Sequence, residues 1–255
     1  MKSKFIHFEK IIKKNKIFKY AILIIIFSHF TCVIKAQVKW DYPIKPGTEE
    51  WKNFQSNEEM VKACQIPEKI LSSLPTEELT ELCLKYPLIF DVFAFDNFNN
   101  GLDKLFSDFY GIKVLFQRND VLNCITKRYV QKIQSFNFLD EENTEYDKGD
   151  FIVTVSLLEI LLSRYAVQND ATNEKIKDVL RILVFGYESK FKYANYFMGV
   201  GFRSNVYSRV QIISKMDKQN LEKLPQKDKN YALFSGMADE QSIRVIDELS
   251  YQLIK

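Results

Sequence analysis

Two carboxylates stand out because of what surrounds them: Asp91 interrupts "PLIFDVFAF" and Glu159 interrupts "FIVTVSLLEILLSRYAV". A carboxyl group carried into apolar surroundings holds its proton to higher pH unless a cation or hydrogen-bond donors compensate. Two such groups at a suitable separation act as general acid and base, the chemistry of a carboxylate-dependent hydrolase of glycan or cell-wall material. Both residues could equally be held by arginines such as Arg164 or Arg181, or face a solvent strip. On this basis no catalytic residue is assigned.

Other groupings are weaker as chemistry. Residues 140–150, "DEENTEYDKGD", carry six acids and one lysine with no apolar period, which reads as a solvated hinge ahead of a metal site. "DNFNNG", Asp96 to Gly101, places an acid, Asn and Gly at the first, fifth and sixth positions of a calcium loop. Phe98 and Ser107 stand at the third and twelfth ligand positions, so a turn with a helix cap is expected. "GVGFRS", Gly199 to Ser204, has a lone GxG with no strand before it and reads as a helix junction. Cys64 and Cys83 lie on the apolar faces of neighbouring short helices, where they form either a disulfide or two buried thiols. No cofactor or metal motif is complete.

Residues 1–19 hold seven lysines and one acid, and the uncharged run Tyr20–Ile34 follows, closed by Lys35-Ala36-Gln37. This order is that of a secretory signal, with cleavage expected after Ala36. An apolar run of 15 residues falls short of the ~20 needed to span a bilayer, so membrane attachment is expected only if the segment stays uncleaved. Export places the chain in the periplasm or outside the cell. Residues 1–36 carry eight lysines and Glu9, a charge of +7, so the remaining 219 residues carry +3 − 7 = −4. A basic face for nucleic acid is therefore not expected. His7 and His29, the only two histidines, also leave with this segment. That excludes Ser-His-Asp and Cys-His sites and histidine-ligated zinc from the mature chain.

The elements that position these groups read as helices almost throughout. Thr48 caps a short helix, "SNEE" at 56–59 is a capping box, and Pro67, Pro75 and Pro87 cut the region into short helices, with Thr76 capping "EELTELCLKY". "NGLDKLFSDFYGIKVLFQR" reads as one helix capped by Asn100, with Leu102, Leu105, Phe106, Phe109, Ile112 and Phe116 on one face. Asn119 caps the next, and Leu122, Ile125, Tyr129 and Ile133 repeat the pattern. "FIVTVSLLEILLSRYAV" is apolar nearly all round and reads as a central buried helix. "KIKDVLRILVFGYESKFKYANYF", "SNVYSRVQIISKM" and "DEQSIRVIDELSYQLI" follow as helices, the last with Ile243, Ile246, Leu249 and Leu253 in a stripe behind an Asp239 cap. The expected fold is all-α, either an irregular bundle or an α-solenoid-like array of helical pairs. Its regions are 1–36, a Pro-punctuated 37–139, the hinge 140–150, and 151–255.

"WDYPIKPGTEEWKNF", Trp40 to Phe54, is a Pro-stiffened strip expected to dock Trp40, Tyr42 and Trp51 against the first helices. "DYPIKPGTEEWK", "MVKACQIPEKILSSLPTEELTELCLKYPL" and "ALFSGMADEQSI" resemble, with gaps over most of the chain, a family of uncharacterised exported proteins of Gram-negative gut anaerobes. The resemblance implies export and transfers no functional residues. The expectation is an exported interaction or scaffold module with a protein partner in the cell envelope; its rival is the carboxylate hydrolase, using Asp91, Glu159 or an acid of residues 140–150.

Overall fold

The computed structural model describes residues 40–95, 97–168, 171–221 and 240–255. The segment expected to direct export, and the Asp239 cap, lie outside them. Among the described residues every regular element is a helix.

Local chemistry accounts for the first short helices. Thr48 Oγ1 accepts from the N–H of Trp51 and starts α1 (Glu49–Lys52). Ser56 Oγ accepts from the N–H of Glu59 at the start of α2 (Asn57–Ala63), while Glu59 Oε2 accepts from the N–H of Gln55, so the capping box closes one residue early. Pro67 precedes α3 (Glu68–Ser73) and Pro75 precedes α4 (Thr76–Leu84). Thr76 is thus not the cap: its hydroxyl turns away to donate to Asp120 Oδ1 at 2.7 Å. After Pro87 the chain tightens into the 3₁₀ turn η1 (Ile89–Phe93).

The long helix expected after Asn100 is two helices, α5 (Phe98–Asp108) and α6 (Tyr110–Phe116), and its cap is Asn97, whose Oδ1 accepts from the N–H of Asn100 at 2.8 Å. The break lies at Phe109, which is extended at φ −109°, ψ 107° and fully buried with its ring stacked on Tyr86 at 4.0 Å. Gln65 bridges the gap. Its Nε2 donates to Asp108 O at 2.9 Å, and its Oε1 accepts from the N–H of Tyr110 at 3.1 Å, replacing hydrogen bonds that the broken helix gives up.

The larger helices follow: α7 (Val121–Gln134), the 3₁₀ turn η2 (Phe136–Leu139), α8 (Glu145–Gln168), α9 (Asn173–Lys190), η3 (Phe191–Tyr193), α10 (Ala194–Phe197), α11 (Val200–Met216), α12 (Lys218–Leu221) and α13 (Glu240–Leu253). The acidic stretch expected as a hinge supplies a turn and then the first turns of α8. It does not separate the helices before it from those after it, because α7 packs on both α8 and α9. Asp120, not Asn119, holds the residue position before α7, and its side chain makes no capping bond there.

Helix α8 is central. It lies against α7, α9 and, most extensively, α11, and residues 155–163 of it are buried without interruption. A solenoid would confine such contacts to successive pairs, so the arrangement is a bundle. Ile246 and Leu249 of α13 are buried against Tyr187, Val206, Val210 and Ile213, with Ile243 and Leu253 alongside, as their stripe requires. Of the opening strip, Tyr42 docks on the helices, its hydroxyl donating to Leu82 O at 3.0 Å, while Trp40 meets the Tyr42 ring edge-on and Trp51 meets Phe54 within the strip itself. Among the described residues no helix is long and apolar enough to cross a membrane.

Candidate functional site

Glu159 sits at the middle of α8, and four helices meet at its carboxylate. Oε1 accepts from Lys190 Nζ at 2.6 Å, from Tyr129 Oη at 2.5 Å and from Asn205 Nδ2 at 2.7 Å; Oε2 accepts from Ser204 Oγ at 2.5 Å. Tyr129 comes from α7, Lys190 from the end of α9, and Ser204 and Asn205 from the first half of α11. All five residues are fully buried. An ion pair at this depth persists only when the remaining donors and acceptors are also satisfied. Lys190 Nζ also donates to Gly201 O and lies 5.2 Å from the centre of the Phe197 ring, and Asn205 Nδ2 also reaches Leu183 O at 2.9 Å. Asn205 Oδ1 alone in this cluster has no partner among the described residues.

Backbone choices make the convergence feasible. Gly186 on α9 leaves the space that the Tyr129 hydroxyl crosses: a Cβ there would stand 1.9 Å from Tyr129 Oη. Gly199, at φ +77°, starts α11 in a conformation that side chains other than glycine's resist, which bears out the helix junction. Burial holds the Lys190 ammonium below its ordinary value, while Glu159 pulls it back up and Arg209 adds to the lowering. Burial likewise drives the Tyr129 phenol well above its ordinary value, so it stays a donor to the carboxylate.

A second buried cation lies farther along α11. Arg209 Nη1 donates to Asp247 Oδ1 of α13 at 2.7 Å, and the guanidinium lies 4.2 Å from the centre of the Tyr187 ring. Its Nε and Nη2 have no partner among the described residues. Tyr251 donates to Glu188, a further tie between α13 and α9.

The structure therefore separates the residues singled out by sequence. Glu159 is internal and ion-paired, whereas Asp91 is exposed on η1. Of the two alternatives for these carboxylates, Asp91 takes the solvent-facing one, and the arginines pair elsewhere: Arg164 with Asp103 at 2.5 Å, and Arg181 with Asp178 and Glu174. The true partner of Glu159 is Lys190. Lys190 follows the buried residues Ile176, Leu180, Leu183 and Tyr187 at helical spacing, which sets it on the inner face of α9 without naming its partner. Cys64 and Cys83 are buried free thiols, both within electrostatic reach of the Tyr42 hydroxyl, and Cys124 is half-buried. Asp96 lies outside the described residues, and among those described no group of three or more acidic, Cys or His side chains is placed to hold a metal ion.

Chemically, the Glu159 cluster ties four helices together through charge. Three donors meet Oε1 and one meets Oε2, and the carboxylate is fully buried among them. No family model matches the chain, and no curated protein or solved structure gives a significant match.

Proposed function

We propose that the helical region is a non-enzymatic interaction module of the cell envelope, reached by export through the segment at residues 1–36, and that its partner is a protein. The observation that carries this reading is the sorting of side chains. The Glu159 cluster is turned inward and its members are bonded to one another, while Phe90, Phe95, Tyr110, Tyr146 and Met198 stand exposed on the bundle. Large apolar side chains on a charged helical surface favour protein contact. The rival hydrolase reading draws no support from Glu159, which is fully buried and ion-paired with Lys190, nor from Asp91, which is exposed on the surface.

The test is to tag the chain, crosslink it in its own cell envelope and identify what it captures by mass spectrometry. One reproducible protein partner is expected, together with an intact mass for the exported form that begins at Gln37. Recovery of glycan alone, with glycan hydrolysis by the purified chain that Asp91→Asn abolishes, would overturn the reading in favour of the enzyme.

A further inference from the structure

The Glu159 ion pair leaves one reactive group beside it unused, the amide carbon of Asn205. Lys190 Nζ and Asn205 Nδ2 meet the same carboxylate oxygen, Glu159 Oε1, at 2.6 Å and 2.7 Å. The two nitrogens therefore stand no farther apart than those two contacts laid end to end. Lys190 ends α9 and Asn205 lies in the first half of α11, with η3 and α10 between them in the chain. Glu159, Lys190 and Asn205 are all at 0% exposure, and the Phe197 ring shields the amine from one side. The Asn205 amide is unevenly served. Its Nδ2 also reaches Leu183 O at 2.9 Å and lies 3.4 Å from Tyr129 Oη, whereas Oδ1 has no partner among the described residues. A buried carbonyl left without a donor calls for a reason.

An amine, a primary amide and a carboxylate held together away from water can condense. Moving one proton from the Lys190 ammonium to Glu159 removes two buried charges at once, and burial already favours the neutral amine. The amine lone pair is then the nucleophile, and Asn205 Cγ, bonded to the nitrogen that touches Oε1, is the carbonyl carbon within its reach. As the Nζ–Cγ bond forms, the amine's second proton passes through Glu159, which touches both nitrogens, to Nδ2. The Cγ–Nδ2 bond breaks and neutral ammonia leaves. Glu159 keeps the proton it took first, so charge and atoms balance and no ion remains. As a carboxylic acid Glu159 becomes a donor, able to serve the amide oxygen that lacks one.

We propose that Lys190 and Asn205 join in an intramolecular isopeptide bond, Nζ to Cγ, with Glu159 carrying the proton between their nitrogens. The ion pair is the reactant, and the product staples the end of α9 to α11 inside the bundle. Such a tie narrows the unfolded ensemble as any cross-link does, and it holds whatever partner the chain meets.

The experiment is a tryptic digest of the full chain, purified folded from its own cells and read by tandem mass spectrometry. Trypsin cuts after lysine and arginine but not after an acylated lysine. The expected product is a branched peptide in which residues 182–192, uncut at Lys190, are joined to residues 204–209, lighter by one ammonia than the two linear peptides together. Glu159→Gln and Asn205→Ser should yield linear peptides only, with circular dichroism checking that each variant folds. The wild-type digest decides even if neither does. Cleavage after Lys190 with an unmodified 204–209 peptide would overturn the inference. So would ammonia lost from 204–209 alone, which is a succinimide at Asn205. A branch from Lys190 to the peptide of residues 149–164, lighter by one water, would place the amide at Glu159 instead and overturn it as well. A branched peptide undiminished in folded Glu159→Gln would remove Glu159 as the proton carrier.

Discussion

Glu159 and Lys190 define each other. Neither ion would be tolerated alone at zero exposure, and the 2.6 Å contact between them neutralises both within a ring of donors. Glu159→Gln keeps the shape and removes the charge, leaving the Lys190 ammonium uncompensated. The expected loss is about 3–5 kcal/mol of unfolding free energy, read from urea titration followed by circular dichroism. Adding Lys190→Met to that variant should recover some of the loss. A loss below about 1 kcal/mol would mean that the packing of α8, and not the ion pair, holds this centre together. The sequence marks Glu159 and its odd setting but not its partner. The lysine sits in "ESKFKY", where its text is that of an ordinary exposed cation.

Glycines show how closely the elements approach. At Gly101, on α5, a Cβ would stand 2.1 Å from the carbonyl oxygen of Val92 in η1, and that obstacle is backbone and cannot swing aside. Gly149, in the first turns of α8, would meet nothing within 4 Å. Gly101→Ala should therefore push η1 off α5 and destabilise the chain by about 1–3 kcal/mol, whereas Gly149→Ala should stabilise it by about 0.5–1 kcal/mol through helix propensity. Thermal unfolding of the two variants side by side checks both signs. If they behaved alike, close packing of η1 on α5 would not be the reason that position 101 is glycine. The break between α5 and α6 was not legible, because Phe109 continues the apolar period of α5. What ends the helix is the Tyr86 ring that Phe109 stacks on and the Gln65 amide that binds the exposed backbone groups.

The bundle as a whole should be sensitive to alkali. Burial raises the phenols of Tyr42, Tyr86, Tyr129, Tyr187, Tyr207 and Tyr251 above the ordinary 10.0, Tyr187 to about 12, and it raises the Cys64 and Cys124 thiols from 9.0 to about 11. In each case the folded chain keeps a proton that the unfolded chain releases, so stability is fully present below the unfolded value and is lost as pH rises through the folded one. Each group that titrates only on unfolding removes about 1.4 kcal/mol per pH unit in that window. Lys132 and Lys190 work in the opposite direction, since burial lowers their folded values below 10.5 and rising pH relieves that penalty. Two lysines do not offset six phenols. Urea midpoints should begin to fall from about pH 9 and drop steeply above pH 10. Midpoints that stay level to pH 11 would show that these phenols and thiols meet water in the folded chain.

The amino-acid sequence by itself determined the all-helical class, the caps at Thr48 and Ser56, the central buried helix, and the buried stripe of α13. These depend on groups three or four residues apart, which the chain carries in its own order. Only the tertiary structure decided that the helices close into a bundle, that Asp91 stays outside, and that Glu159 is neutralised. The physical reason is separation along the chain: Lys190, Ser204 and Asn205 reach Glu159 from 31, 45 and 46 residues away. A contact of that kind is set by how whole helices pack, and local periodicity carries no record of which helix will face which.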